Sequence, residues 1–158
     1  MDLENRLELL ESRAALIAAQ NSYAQAFDNR DPKLFRAAFH EDAVLDLGEL
    51  WGTHKGIEAI LGAANQFWAG ARSMHHWMVN PLFEIDVAAG EGSGSVALDC
   101  VSTFVDTGTF HIGGRYEDRF RRIRGDWKIS ERRFEVQFRT PVPDWAPELG
   151  TEVAVLHR

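Results

Sequence analysis

A single cysteine, Cys100, stands in a chain of 158 residues. No intrachain disulfide can form, and one chain cannot assemble a cysteine-based zinc site. The lone thiol fits a reducing cytoplasm. No apolar run approaches the roughly 18 residues that a membrane-spanning helix needs. The opening stretch, Met-Asp-Leu-Glu-Asn-Arg, is acidic and polar and lacks the basic and apolar regions of a secretory signal. Positive charge is also scarce: 17 Lys and Arg against 24 Asp and Glu leave a formal net charge of −7. Such a surface repels phosphate backbones. The expectation is a cytoplasmic protein with no nucleic-acid partner and no membrane partner. The Arg119, Arg121, Arg122, Arg124 cluster reads as the solvent side of a strand and its turn. There is no HExxH helix, no glycine-rich phosphate loop and no nucleophile elbow. His40, Glu41 and Asp42 are adjacent, and adjacent residues rarely chelate one ion, so they read as a solvated helix end. No metal or nucleotide cofactor is expected.

What remains is ordinary globular composition, 45% hydrophobic and 26% charged, in a chain long enough for one domain, 1–158, with a real core. Residues from about Leu3 to Asn29 read as one long helix, with Leu7, Leu10, Ala14, Ile17, Ala18 and Ala24 at three- and four-residue steps. Asp31 is a good N-cap and Pro32 suits the first position of a second helix, Pro32 to Phe39. Ala43 to Leu47 reads as a short strand and Gly48 to Lys55 as a loop. A third helix follows from about Ile57 to Trp68, ended by Gly70. The period then changes to two. Strands are expected over His75 to Val87, Ser95 to Asp106, Thr109 to Arg122 and Asp126 to Arg139, with turns at 90–94, 106–108 and 124–125. The tail from Thr140 to residue 158 contains Pro141, Pro143 and Pro147 and reads as irregular. Helices first and an antiparallel meander afterwards predict an α+β fold.

Two segments carry the chemistry. Asp28 ends the first helix in Tyr23-Ala-Gln-Ala-Phe-Asp28. His76 opens a strand in Ser73-Met-His-His-Trp-Met-Val-Asn80. Alternation puts His76, Met78 and Asn80 on one face and His75, Trp77 and Val79 on the other, and a one-residue slip exchanges them, so His75 competes with His76. A carboxylate bonded to one imidazole nitrogen would fix the tautomer and leave the other nitrogen free as a base. Asp28 could equally cap the turn that follows it. Tyr23 precedes Asp28 by five residues, about 140° around a helix, so the two need not share a face. It reads either as a ring packed on the sheet or as a hydrogen-bond donor to a leaving group or carbonyl. Arg132 shares its parity with the apolar Phe134, Val136 and Phe138. A charge in phase with an apolar face needs a partner, such as a departing anion, solvent or Asp28. Trp51, Trp77, Phe104, Tyr116 and Phe134 read as core or wall aromatics that together suit a small, ring-shaped apolar substrate.

Trp51-Gly-Thr-His-Lys-Gly-Ile-Glu-Ala-Ile60 and Gly114-Arg-Tyr-Glu-Asp-Arg-Phe-Arg-Arg-Ile-Arg-Gly-Asp-Trp-Lys-Ile129, in this order of elements, resemble the nuclear-transport-factor-2-like superfamily, and within it the SnoaL-like branch. The resemblance implies a cone-shaped barrel: a strongly curved, mostly antiparallel sheet with three helices from the N-terminal half packed on it. A narrower likeness is to lyases of this fold, namely scytalone dehydratase, bile-acid 7α-dehydratase and hexachlorocyclohexane dehydrochlorinase. It implies that Asp28 orients His76 as a base, and Arg132 matches an arginine that helps the leaving group depart. Tyr23 stands where the dehydrochlorinase has a lysine and has the spacing of a tyrosine in the bile-acid enzyme. The expectation is a lyase that abstracts a carbon-bound proton and needs no cofactor. Its catalytic residues would be His76, Asp28, Tyr23 and Arg132, with Trp51, Met78, Asn80, Phe104, Tyr116 and Phe134 around the substrate. An isomerase or polyketide-cyclase-like activity, or a non-catalytic subunit like those of ring-hydroxylating dioxygenases, would use the same fold. The resemblance also implies a homo-oligomer, trimer or dimer.

Overall fold

A computed structural model describes residues 2–143. The order of elements is α1 (Leu3–Asn29), α2 (Pro32–Ala38), β1 (Phe39–Asp46), α3 (Gly48–Trp51), β2 (Thr53–Lys55), α4 (Ile57–Gly70), β3 (Ala71–Asp86), β4 (Glu91–Phe104), β5 (Gly108–Ile123) and β6 (Asp126–Pro141). The six strands form one sheet in the order β2-β1-β6-β5-β4-β3, antiparallel except where β1 meets β6. The fold is α+β, a curled, unclosed cone. Three helices of the N-terminal half, α1, α2 and α4, supply helical residues to its core, and α3 adds a single turn.

Asp2 caps α1 and Asp31 caps α2 by accepting from the Lys33 and Leu34 amides at 2.9 and 3.0 Å. Arg30, in the left-handed region at φ 56°, ends α1, and its guanidinium donates to the Ala71 carbonyl at 2.6 Å. This ties the end of α1 to the start of β3.

The face that α1 buries is not the apolar stripe read from sequence. Of that stripe Ala24 is buried but Leu7 and Leu10 are exposed, and the buried row is Ser12, Leu16, Ala19, Gln20, Tyr23, Ala24, Ala26 and Phe27. That row steps by three and four residues as a core face should. Its two polar members hid it, and Gln20 is inside because it has a buried partner. His40, Glu41 and Asp42 belong to β1 rather than to a helix end. His40 is buried, with Nε2 bonded to the Arg121 carbonyl at 2.9 Å. The expected loop after Leu47 holds α3 and β2. Thr140 and Pro141 extend β6 rather than starting the tail, Val142 and Pro143 follow it, and the rest of the expected tail, 144–158, lies outside the described residues.

Three of the sheet's five register shifts bear on the site. In β3 the ladder slips between Val79 and Leu82, where Asn80 takes φ 56° beside Pro81. In β6 it slips at Ser130, between the pairs Phe120–Ile129 and Arg119–Glu131. It slips again at Gln137, between Gly114–Val136 and Gly113–Phe138. This last bulge needs glycines, because a Cβ on Gly114 would lie 2.3 Å from the Glu135 carbonyl oxygen and one on Gly113 2.3 Å from the Phe138 ring. Gly114→Ala is therefore expected to cost about 1–3 kcal/mol through overpacking, read as a lower denaturant midpoint at unchanged slope.

Candidate active site

The end of α1 and the middle of β3 bring Asp28 and His76 together. One Asp28 oxygen lies 2.5 Å from His76 Nδ1, and the other accepts the His76 backbone N–H at 2.9 Å. Two bonds to adjacent groups fix the carboxylate and make Nδ1–H the donor. The lone pair of the neutral ring is thereby left on Nε2. Asp28 sits in the last turn of α1, where the helix dipole disfavours a carboxylate, so His76 supplies what the helix end does not. His75, by contrast, points outward and stacks on Trp77 at 5.9 Å.

His76 borders a cavity of about 50 Å³ between the sheet and the helices. Tyr23, Trp51, Phe104, Tyr116 and Phe134 border it too. Met78 faces the core beyond it, and Asn80 is exposed at the β3 bulge, so neither lies on its wall. The bulge is the physical reason, since it ends the alternation that would have carried Asn80 inward. Trp77 is 51% exposed on the outer face. The bulge at Gln137 likewise leaves Phe138 exposed, and Val136 just before it is exposed as well, so the apolar face assigned to β6 stops at Phe134. Sequence reasoning missed Phe27, Phe67, Cys100 and Ser102, which also line the cavity. Cys100 could have been found: it is the register partner of His76, and both point inward. An apolar cavity that admits benzene is about 150 Å³. This one is smaller, so a ring-shaped ligand enters it only if lining side chains turn aside.

Arg132 does not line the cavity. Its partner is neither solvent nor Asp28 but Asp118, its neighbour across the β5–β6 ladder. Nε and Nη2 donate to the two Asp118 oxygens at 2.7 Å each, and Gln20 Nε2 donates to the same carboxylate at 2.8 Å. Arg132 is 0% exposed. Its guanidinium lies between the rings of Tyr23 and Tyr116, 4.4 and 4.3 Å from their centroids. Nη1 is buried without a hydrogen-bond partner among the described residues. The two phenol oxygens are 3.3 Å apart. Burial pushes both phenols above their ordinary range, against the lowering pull of Arg132, so both stay protonated and able to donate.

Burial pulls the His76 imidazolium down, but the bond to the Asp28 carboxylate, with the neighbouring Cys100, outweighs it and leaves the ring raised to about 9. The folded state therefore holds a proton that the unfolded chain, near 6.5, has lost. This stabilisation, about 3 kcal/mol, is fully present below pH 6.5 and disappears as pH rises through about 9. Unfolding free energy is expected to fall across that window, and His76→Gln should flatten the slope; an equally steep slope in that variant would assign it elsewhere.

Residues 8–133 match the family model of the SnoaL-like domain. The chain belongs to that family. Its fold is shared by a hexachlorocyclohexane dehydrochlorinase (LinA) of type 2, 24% identical over 90% of this chain and 98% of that one, at a TM-score of 0.84. The LinA crystal structure aligns at 25% identity, 90% and 98% coverage and a TM-score of 0.83. A type 3 LinA from Novosphingobium barchaimii LL02 aligns at 23% identity, 88% and 95% coverage and a TM-score of 0.81. No match was found among curated proteins. Among the described residues no helix is long and apolar enough to cross a membrane.

Proposed function

We propose that this chain is a lyase, a dehydratase or dehydrohalogenase, that needs no cofactor and acts on a small, largely apolar cyclic substrate. The observation that carries the reading is the 2.5 Å contact between Asp28 and His76 Nδ1 at the wall of an apolar cavity. Nε2 removes a proton from a carbon made acidic by a neighbouring carbonyl or leaving group. Asp28 holds the ring and balances the imidazolium that forms. The departing hydroxyl or halide is assisted by the Tyr23 hydroxyl, which borders the cavity, while Arg132 polarises Tyr23 from behind and keeps a spare donor in Nη1. Similarity to dehydrochlorinases supports elimination.

A second reading, isomerase or cyclase, draws on the Tyr23–Tyr116 pair, whose two phenols could hold an enolate oxygen. Screening small cyclic hydroxy ketones and halides by mass spectrometry separates the two, since elimination changes the mass and isomerisation does not. A chain that turns over neither would fit the association-subunit alternative. The homo-oligomer expectation stays within this proposal, with exposed Trp77, Val79, Leu82 and Phe138 as the surface to cover. Light scattering that returned the mass of one chain would end that part.

A further inference from the structure

Trp51, Phe67 and Phe104 each line two spaces. On one side they border the cavity of about 50 Å³ that His76 also lines. On the other they border a groove of about 350 Å³, together with Leu50, His54, Ala63, Gln66 and Gly70. All three rings are half-buried, whereas the cavity tyrosines Tyr23 and Tyr116 are buried. The three rings are thus a shared wall between the two spaces. The cavity alone is below the volume of about 150 Å³ that admits one benzene ring. The groove alone lies within the roughly 300–1,000 Å³ of small-molecule sites.

Of the three rings, Trp51 is the one free to move. Phe67 is carried by the four-turn helix α4 and Phe104 by β4, while Trp51 ends the single turn α3. That turn is anchored through its main chain. The Leu47 N–H donates to the Gly52 carbonyl at 2.9 Å, and His54 Nε2 bonds to the Trp51 carbonyl at 3.0 Å. The indole meets the rings of Phe67 and Phe134 at 6.2 and 6.1 Å but makes no hydrogen bond among the described residues. Trp68, by contrast, is locked by its Nε1–H, which donates to the Phe27 carbonyl at 2.9 Å. The Trp51 side chain can therefore rotate while the turn stays closed.

We propose that the groove is the outer half of the ligand site and that Trp51 is the gate between the halves. The ligand that fits is an uncharged molecule of two fused rings. One ring lies beside His76 and the other beside α4, where Gln66 offers an amide donor and acceptor to a hydroxyl or carbonyl. No carboxylate among the described residues lines either space to hold a cation. The net charge of −7 disfavours an anion. The inference names a substrate class for the reading above. It rests on that reading's cavity but not on its elimination.

The test measures binding of phenol and 2-naphthol to the whole protein by calorimetry. The second ring buries further apolar area in the groove, so 2-naphthol should bind at least about tenfold more tightly than phenol. Gln66→Trp and Ala63→Leu, each checked for folding by circular dichroism, add bulk to the groove and should bring that preference down to about one. Should one of them not fold, the other makes the same comparison. Trp51→Ala removes the gate, and stopped-flow fluorescence should show 2-naphthol associating about tenfold faster than with the wild type. The proposal is overturned if the two probes bind alike or neither binds at millimolar concentration. Folded groove variants that keep the preference, or an unchanged association rate in Trp51→Ala, overturn it as well. Binding is read without turnover, so a protein that binds as expected but eliminates nothing refutes the lyase reading alone. One that eliminates from a one-ring substrate but does not prefer 2-naphthol refutes this proposal alone.

Discussion

Asp118→Ala is expected to lower the free energy of unfolding by about 3–5 kcal/mol. The substitution leaves a fully buried guanidinium, 0% exposed, with no anion to balance it and with two further donors unpaired besides Nη1. Gln20 loses its acceptor as well. The tyrosine rings around Arg132 help hold its charge but offer no carboxylate, and burial there disfavours the charged form, which Asp118 counters by raising the arginine's pKa. Against a typical total of about 5–15 kcal/mol, such a loss brings a domain close to unfolding. Urea denaturation of the variant reads it directly. The same network predicts the rescue: Asp118→Leu combined with Arg132→Met removes both charges, and the double variant should recover most of what Asp118→Ala loses. An Asp118→Ala protein within 1 kcal/mol of wild type, on the scale on which exposed pairs are worth about 0–1, would mean that water reaches the pair.

That pair also marks where the sequence stopped being readable. Arg132 is recognisable as a charge in phase with Phe134, yet counting back from the turn at Arg124-Gly125 places it opposite Glu117. The bulge at Ser130 shifts the ladder by one and sets it opposite Asp118. A bulge has no fixed signature in a single sequence, and each one reverses the alternation on which facing assignments rest. The same cause removes Asn80 from the cavity wall and carries Phe138 to the outer face. Helix ends and the strands β1 and β3 to β6 were legible, because Asp31-Pro32, Gly70 and the hairpin turns act locally, whereas the single turn α3 and the three-residue β2 were read as loop. The core face of α1 was not, because Gln20 belongs to it through Asp118, on a strand some hundred residues away. His76 and Asp28 became a candidate pair through resemblance, and their contact is a long-range consequence of α1 ending against β3.

Asp28→Asn is expected to reduce any elimination by roughly a hundredfold or more, and His76→Ala to abolish it against a general-base contribution of about 10²–10⁴. The two variants fail for different reasons, and pH separates them. In the wild type the base works only when neutral. With His76 raised to about 9, neutral imidazole is about 1% of the total at pH 7. The rate should therefore climb close to tenfold per pH unit and level off only above about 9. An amide at position 28 keeps a polar group near Nδ1 but removes the carboxylate that favours the imidazolium. The rising limb should then move to lower pH, so the deficit relative to wild type shrinks at pH 6 and is largest at pH 9. Part of the loss at high pH comes from the tautomer, because an amide can donate to Nδ1 and turn the lone pair away from the cavity. A wild-type profile flat from pH 6 to 9, or an Asp28→Asn profile parallel to it, would show that His76 does not carry the proton, and the Tyr23–Tyr116 pair would become the candidate to pursue.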